Sequence, residues 1–209
     1  MARLLYIEAS PRKKRSASIE IARTFIGEYE RTHPGDVVET LDLWQTSLPE
    51  FDGQVIDSKY VILHGLKHTE EQKRAWSAVE DVISQFTGAD KYLFSLPMWN
   101  FGIPYKLKHY IDVIVQPGYT FSFSPEEGYA GLVTGKPVAT IYARGGAYGP
   151  GTGGESYDLQ KTYLEHILGF IGFRDFQTIL VEPTLASPEA KDKSLKVATE
   201  LAKTLAANF

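Results

Sequence analysis

The sequence contains no cysteine. That absence excludes disulfides, thiolate metal sites and cysteine nucleophiles, so any redox chemistry in this chain falls to a bound cofactor. No stretch approaches the ~18 to 20 uncharged apolar residues of a membrane span, and the first residues run straight into a strand pattern rather than a secretory leader. The expected setting is the cytoplasm, without a membrane. A basic excess is missing too: 22 Lys and Arg against 26 Asp and Glu leave a net charge of −4, which argues against nucleic acid as a partner. Neither glycine-rich fingerprint, G-x-G-x-x-G or G-x-x-x-x-G-K-[ST], follows the first strand pattern, which disfavours an ordinary dinucleotide fold and a nucleotide triphosphatase. No repeat, linker or low-complexity tract interrupts the 209 residues, and residues 1–209 read as one domain.

What the sequence does have is an ordinary globular balance, 43% apolar and 23% charged, with a fairly high 12% aromatic. Short, continuous apolar runs at residues 4–7, 37–41, 92–97, 138–143 and 176–181 read as strands. Between them lie helical stripes: Ile19, Ala22, Phe25, Ile26 and Tyr29; Trp76, Val79, Val82, Ile83 and Phe86; residues 103–115, opened by Pro104; residues 157–171; and a last helix capped by Ser187 with Pro188 in its first turn. Five strands alternating with five helices predict a mostly parallel sheet covered on both faces, since strands buried on both sides are continuously apolar. Two long segments stand outside this pattern. Residues 116–135 alternate Tyr119, Phe121 and Phe123 with small polar residues, like a hairpin, and residues 144–156 hold six glycines in thirteen positions.

Ligands of open parallel sheets bind at the carboxyl ends of the strands. After the first strand, Ser10, Ser16 and Ser18 surround four basic residues, 12–15, and lead into a helix whose unpaired amides and dipole favour an anion. The alternative is that Ser16 or Ser18 caps the helix while the basic run is a solvated turn. After the third strand, "PMWNFGIP" (97–104) offers a polarisable apolar wall and several backbone amides, suited to a planar aromatic ligand. After the fourth, Arg144 precedes the adjacent Gly145 and Gly146, which permit close approach of backbone to ligand.

Taken together, the three loops are spaced like the ligand loops of a flavodoxin-like domain. With Lys106-Leu107-Lys108, Ile111-Asp112, Gly118, Thr120-Phe121, Gly131-Leu132, Gly135-Lys136 and the run 169–172, the sequence resembles the FMN-dependent NADH:quinone oxidoreductases, also called azoreductases, over nearly its whole length. The resemblance implies a flavodoxin-like, three-layer, doubly wound α/β fold on a five-stranded parallel sheet. It implies that Ser10, Ser16, Ala17 and Ser18 hold the FMN phosphate. Pro97, Met98, Trp99, Asn100 and Phe101 would lie along the flavin and its ribityl chain, with Ala143, Arg144, Gly145 and Gly146 on the other side. Phe121, Phe123 and Tyr148 would line the substrate pocket of a homodimer whose site lies at the interface, some of these aromatics coming from the partner. Ala143 departs from a frequent serine and Trp99 from a frequent tyrosine, which bears on substrate preference.

The reaction so implied is ping-pong: hydride passes from NADH, with NADPH as an open alternative, to the flavin N5 and then to a quinone or azo compound, with no catalytic side chain. Arg144 is read either as a positive charge near the flavin or as an exposed loop arginine. The rival from another class is a flavodoxin-type electron carrier without substrate turnover. His64 and His68, four apart in a predicted helix, have zinc-ligand spacing but no third ligand, so no metal is expected; His166 is read as packing, and Glu126 and Glu127 as a hairpin tip.

Overall fold

The computed structural model describes residues 1–209. Five parallel strands, β1 (Arg3–Glu8), β2 (Val37–Asp42), β3 (Lys91–Pro97), β6 (Val138–Ala143) and β7 (Phe176–Val181), form one sheet in the order β2-β1-β3-β6-β7. This is the doubly wound order whose winding direction reverses between β1 and β3. A separate antiparallel hairpin joins β4 (Phe121–Ser124) to β5 (Gly128–Gly131), with Phe121 opposite Gly131. The helices are α1 (Ala17–Thr32), α2 (Gly53–Leu63), α3 (Glu70–Thr87), α4 (Tyr105–Ile114), α5 (Leu159–Ile171) and α6 (Pro188–Ala207).

The strand pleat divides the apolar residues between two cores, because successive side chains point to opposite faces. Leu4 and Tyr6 pack with Phe25 and Tyr29 of α1 and with Ala198, Ala202 and Ala206 of α6. Leu5 and Ile7 face the other way, toward Phe86, Tyr110, Ile111, Leu164 and Leu168 of α3, α4 and α5. Each fully buried Leu, Ile or Phe contributes about 1.5–3 kcal/mol through area removed from water. With both faces covered, a ligand meets the sheet itself at the strand ends.

The five predicted strands are present within a residue at either end, and the hairpin is as expected. The helices differ in three places. Pro104 is the N-cap of α4, so the helix opens at Tyr105 rather than Ile103. α5 opens at Leu159, because residues 155–157 form a separate 3-10 turn. α2 lies N-terminal to the helix expected around His64 and His68: Asp52 caps it by accepting from the Val55 N–H at 3.0 Å, but it buries only Val55 and Ser58 and so carries no apolar stripe. His64 caps the end of α2 and His68 lies in the following turn, so the expected helical pairing of the two histidines is corrected.

Candidate functional site

At the carboxyl edge of the sheet, a cleft of about 490 Å³ joins the loop after β1 to those after β3, β6 and β7. Its phosphate-sized end is built by the amino terminus of α1. Ser16 is the N-cap, its Oγ accepting from the Ile19 N–H at 3.4 Å and lying 3.1 Å from the Ser18 Oγ. The amides of Ala17 and Ser18 meet no acceptor in the chain, as the first turn of a helix requires. Ser10 and Ser16 line the cleft with Ala17, while Ser18 is fully buried behind Ser16. Both readings of Ser16 therefore hold together: it caps the helix and faces the cleft.

The four basic residues separate into two groups. Lys13, in the left-handed region at φ 47°, turns its ammonium to Glu8 at 2.7 Å and to Asp42 at 2.5 Å, at the ends of β1 and β2. Burial lowers its pKa, but the hydrogen bonds it donates to Asp42 and Glu8 outweigh that and the net shift is upward. Arg12, Lys14 and Arg15 form no ion pair and line the cleft, opposed there only by Glu20. The reading of the basic run as a solvated turn is thus corrected at Lys13, which is a strut between two strand ends.

The other end of the cleft is apolar. Pro97, Met98 and Trp99 run off the end of β3, with the Met98 N–H bonded to the Ala143 carbonyl at 2.8 Å. Trp99 and Gly102 exchange both backbone hydrogen bonds, at 3.0 and 2.9 Å, around a two-residue turn in which Asn100 and Phe101 have φ 47° and φ 66°. Asparagine tolerates that region; phenylalanine does so at a cost, and strain of this kind persists where surroundings over-determine it, commonly at ligand sites. The amides of Asn100, Phe101, Gly145 and Gly146 donate to nothing within the chain. Ala143 and Gly145 line the cleft beside Met98, and Tyr148 meets Phe101 edge-on at 6.1 Å.

One expectation is corrected. Arg144 is 1% exposed, and its guanidinium is committed to Asp158 at 2.9 Å and Glu182 at 3.2 Å, so it is neither a free charge for a ligand nor a solvated loop residue. Phe121 and Phe123 do not reach the cleft of their own chain. Phe121 packs on Phe170 at 4.9 Å, and α5, 13 residues or about 20 Å long, separates Phe170 from the cleft end of the helix. Asn100 and Gly146 follow directly on the lining residues Trp99 and Gly145.

Sequence reasoning missed the fourth wall. Thr184 and Leu185, after β7, and Lys191, in the first turns of α6, line the cleft. Thr184 and Leu185 donate to the carbonyls of Arg144 and Gly145 at 2.9 and 3.1 Å, and a Cβ on Gly145 would stand 2.8 Å from Leu185. Extending the strand-end rule to the fifth strand finds this wall. Trp44, also missed, donates its indole N–H to the Ala9 carbonyl at 3.0 Å and packs against Trp99 at 5.7 Å.

One cleft thus joins a helix amino terminus, two hydroxyls and four cations without an ion pair to a sulfur and aromatic wall beside free amides. That set fits FMN, a dianionic phosphate carrying a flat ring. Residues 2–205 match a family model described as a flavodoxin-like fold. The chain is 54% identical over 198 residues to an FMN-dependent NADH:quinone oxidoreductase of Desulfotalea psychrophila, covering 95% of this chain and 93% of that one. A crystal structure of an azoreductase from Bacillus anthracis superimposes with a TM-score of 0.91 at 31% identity, covering all of both chains. An FMN-dependent NADH-azoreductase of Bacillus anthracis, solved in complex with FMN, does so with a TM-score of 0.88 at 28% identity, over 99% of this chain and all of that one. The cleft, the strand order and this likeness along the whole chain agree: the chain belongs to the flavodoxin-like family of FMN-dependent NADH:quinone oxidoreductases.

Proposed function

We propose that this chain is an FMN-dependent NADH:quinone oxidoreductase with azoreductase activity, and that the cleft at the carboxyl edge of the sheet holds the flavin. The observation that carries the reading is that the anion-binding end of α1 and the Met98 and Trp99 wall line one cleft. When bound, FMN supplies two-electron hydride chemistry between NADH and a quinone or azo compound. The chain's own residues bind and orient. Ser10 and Ser16 hydroxyls and the Ala17 and Ser18 amides take the phosphate, with Ser18 holding the Ser16 hydroxyl. Arg12, Lys14 and Arg15 add positive potential in an otherwise acidic protein. Pro97, Met98 and Trp99 support one face of the ring, Ala143 and Gly145 the other, and the free amides of Asn100, Phe101, Gly145 and Gly146 offer donors to negative charge. No side-chain nucleophile or proton donor is required.

A second copy completes the substrate side. Phe123, Tyr129 and Leu132 on the hairpin, and Tyr105, Tyr157 and Leu159 at the cleft end, are exposed apolar residues of a single chain, the pattern of a surface that meets a partner. Phe121 and Phe123 reach a flavin only across that interface.

Purified protein is expected to be yellow and to release FMN on heating. Initial rates for NADH against a benzoquinone should give parallel double-reciprocal lines, because donor and acceptor occupy one place in turn. Intersecting lines would sink the shared-site cycle, and a yellow protein without turnover would leave the electron carrier. NADPH in place of NADH tests the donor.

A further inference from the structure

The loop after β6 is held by a buried ion network that flavin binding does not itself use. From Arg144, Nε donates to Gln160 Oε1 at 3.0 Å, Nη1 to Glu182 Oε2 at 3.2 Å and Nη2 to Asp158 Oδ1 at 2.9 Å. These acceptors come from the start of α5 and from the residue after β7. Glu182 has further partners: Oε2 accepts the Tyr148 N–H and Oε1 the Gly149 N–H, each at 3.1 Å. One carboxylate therefore fixes both Arg144 and the loop four residues beyond it.

The consequence is felt at the ring turn. Tyr148 lies over Gly146, where a Cβ would stand 3.1 Å from its hydroxyl, and its ring meets Phe101 edge-on. Phe101 is the bulkier of the two turn residues with left-handed φ, and its ring also packs against Tyr157 at 4.9 Å. Removing charge from water costs more than a single pairing returns unless the hydrogen bonds are complete, and here the guanidinium donates to three acceptors in fixed directions. An arrangement so demanding has a use beyond holding two elements together.

We propose that Arg144 and Glu182 are positioning residues: their ion pair fixes residues 145–149 so that Tyr148 braces Phe101, and with it the turn that carries the flavin ring. This rests on the reading of residues 97–101 as the ring support. The test compares holoenzymes of the parent, Glu182→Gln, Tyr148→Leu and the double variant by three readouts: the FMN dissociation constant on dilution, the visible circular dichroism of the bound flavin, and the thermal transition. Glu182→Gln should weaken FMN by roughly tenfold, as expected for one lost charged acceptor, and change the flavin dichroism. Tyr148→Leu should do the same, and the double variant should be no worse than either, since both break one linkage. The proposal is overturned if Glu182→Gln lowers the thermal transition yet leaves FMN affinity and dichroism as in the parent, or if the two effects add. Should Glu182→Gln fail to fold, Tyr148→Leu decides alone: unchanged affinity and dichroism overturn the brace. A parent that takes up no FMN overturns the site reading and the brace with it.

Discussion

Ser16 caps α1 and lines the phosphate end of the cleft with the same oxygen. Ser16→Ala should therefore cost about 1 kcal/mol of stability through the lost cap and, separately, weaken FMN by roughly tenfold through the lost donor. Lys14→Ala removes an unpaired, solvent-facing charge and should weaken FMN less, with the difference shrinking as salt is added. Fluorescence titration of the two variants checks the ranking; a larger loss in Lys14→Ala would show that charge, rather than the helix end, holds the phosphate. At Phe101 stability and binding should part. Phe101→Gly relieves the left-handed backbone, worth of order 1 kcal/mol, but leaves the turn without its aromatic brace. The expected outcome is an apoprotein no less stable than the parent with weaker FMN binding. Of these residues, the sequence makes Ser16 legible because cap and helix are neighbours. Arg144 is misread because its acceptors Asp158 and Glu182 lie 14 and 38 residues away, and nothing local marks an arginine as buried.

The strands are legible as elements because burial on both faces leaves continuous apolar runs, and α1, α3 and α6 because each buries a stripe. α2 is hidden for the converse reason, as Ile56, Tyr60 and Leu63 face solvent. The hairpin was legible as alternation, but not its docking. Gly131 packs directly on the backbone of Ile171 and Gly172, so that the β4 and β5 hairpin closes over the carboxyl end of α5, with the Val133 N–H bonded to the Ile171 carbonyl at 2.8 Å. The two glycines, far apart in sequence, are a single contact. Gly131→Ala places a methyl where backbone already stands and should cost about 1–3 kcal/mol, with each kcal/mol lowering the thermal midpoint by about 2–4 °C. FMN affinity should change little, because the hairpin is remote from the cleft of its own chain and its proposed contact with a partner bears on the substrate side. A Gly131→Ala protein that melts with the parent would show that the hairpin shifts without cost.

At the scale of the molecule the two edges of the sheet have separate roles. The amino edge is a stabilising edge: Asp36 accepts from the Tyr29 hydroxyl and the Ala2 N–H, both at 2.6 Å, with Lys91 at 3.7 Å. The Tyr29 hydrogen bond foremost, then Ala2, lowers its pKa to about 2. A carboxylate with a lowered folded pKa contributes its full stabilisation above its ordinary value of 3.8 and loses it as pH falls toward 2. Asp36→Asn should therefore melt below the parent at neutral pH, and the gap should close on acidification through that window. The carboxyl edge carries the candidate cleft, and the strand-end rule made most of its lining legible in the sequence. The proposed pairing with a second copy is legible only through the family resemblance, since nothing local in Phe121 or Phe123 marks which chain's cleft they face. A two-fold pair presents the same patch from both sides, so a hairpin remote from its own cleft can stand over its partner's. Replacing Phe123 and Tyr129 together by glutamate puts two charges into that contact and should give a monomer by sedimentation. The monomer should keep its fold and its phosphate end, but lose quinone turnover far more than FMN. A variant that is monomeric yet turns over quinone like the parent would place the whole substrate site in one chain.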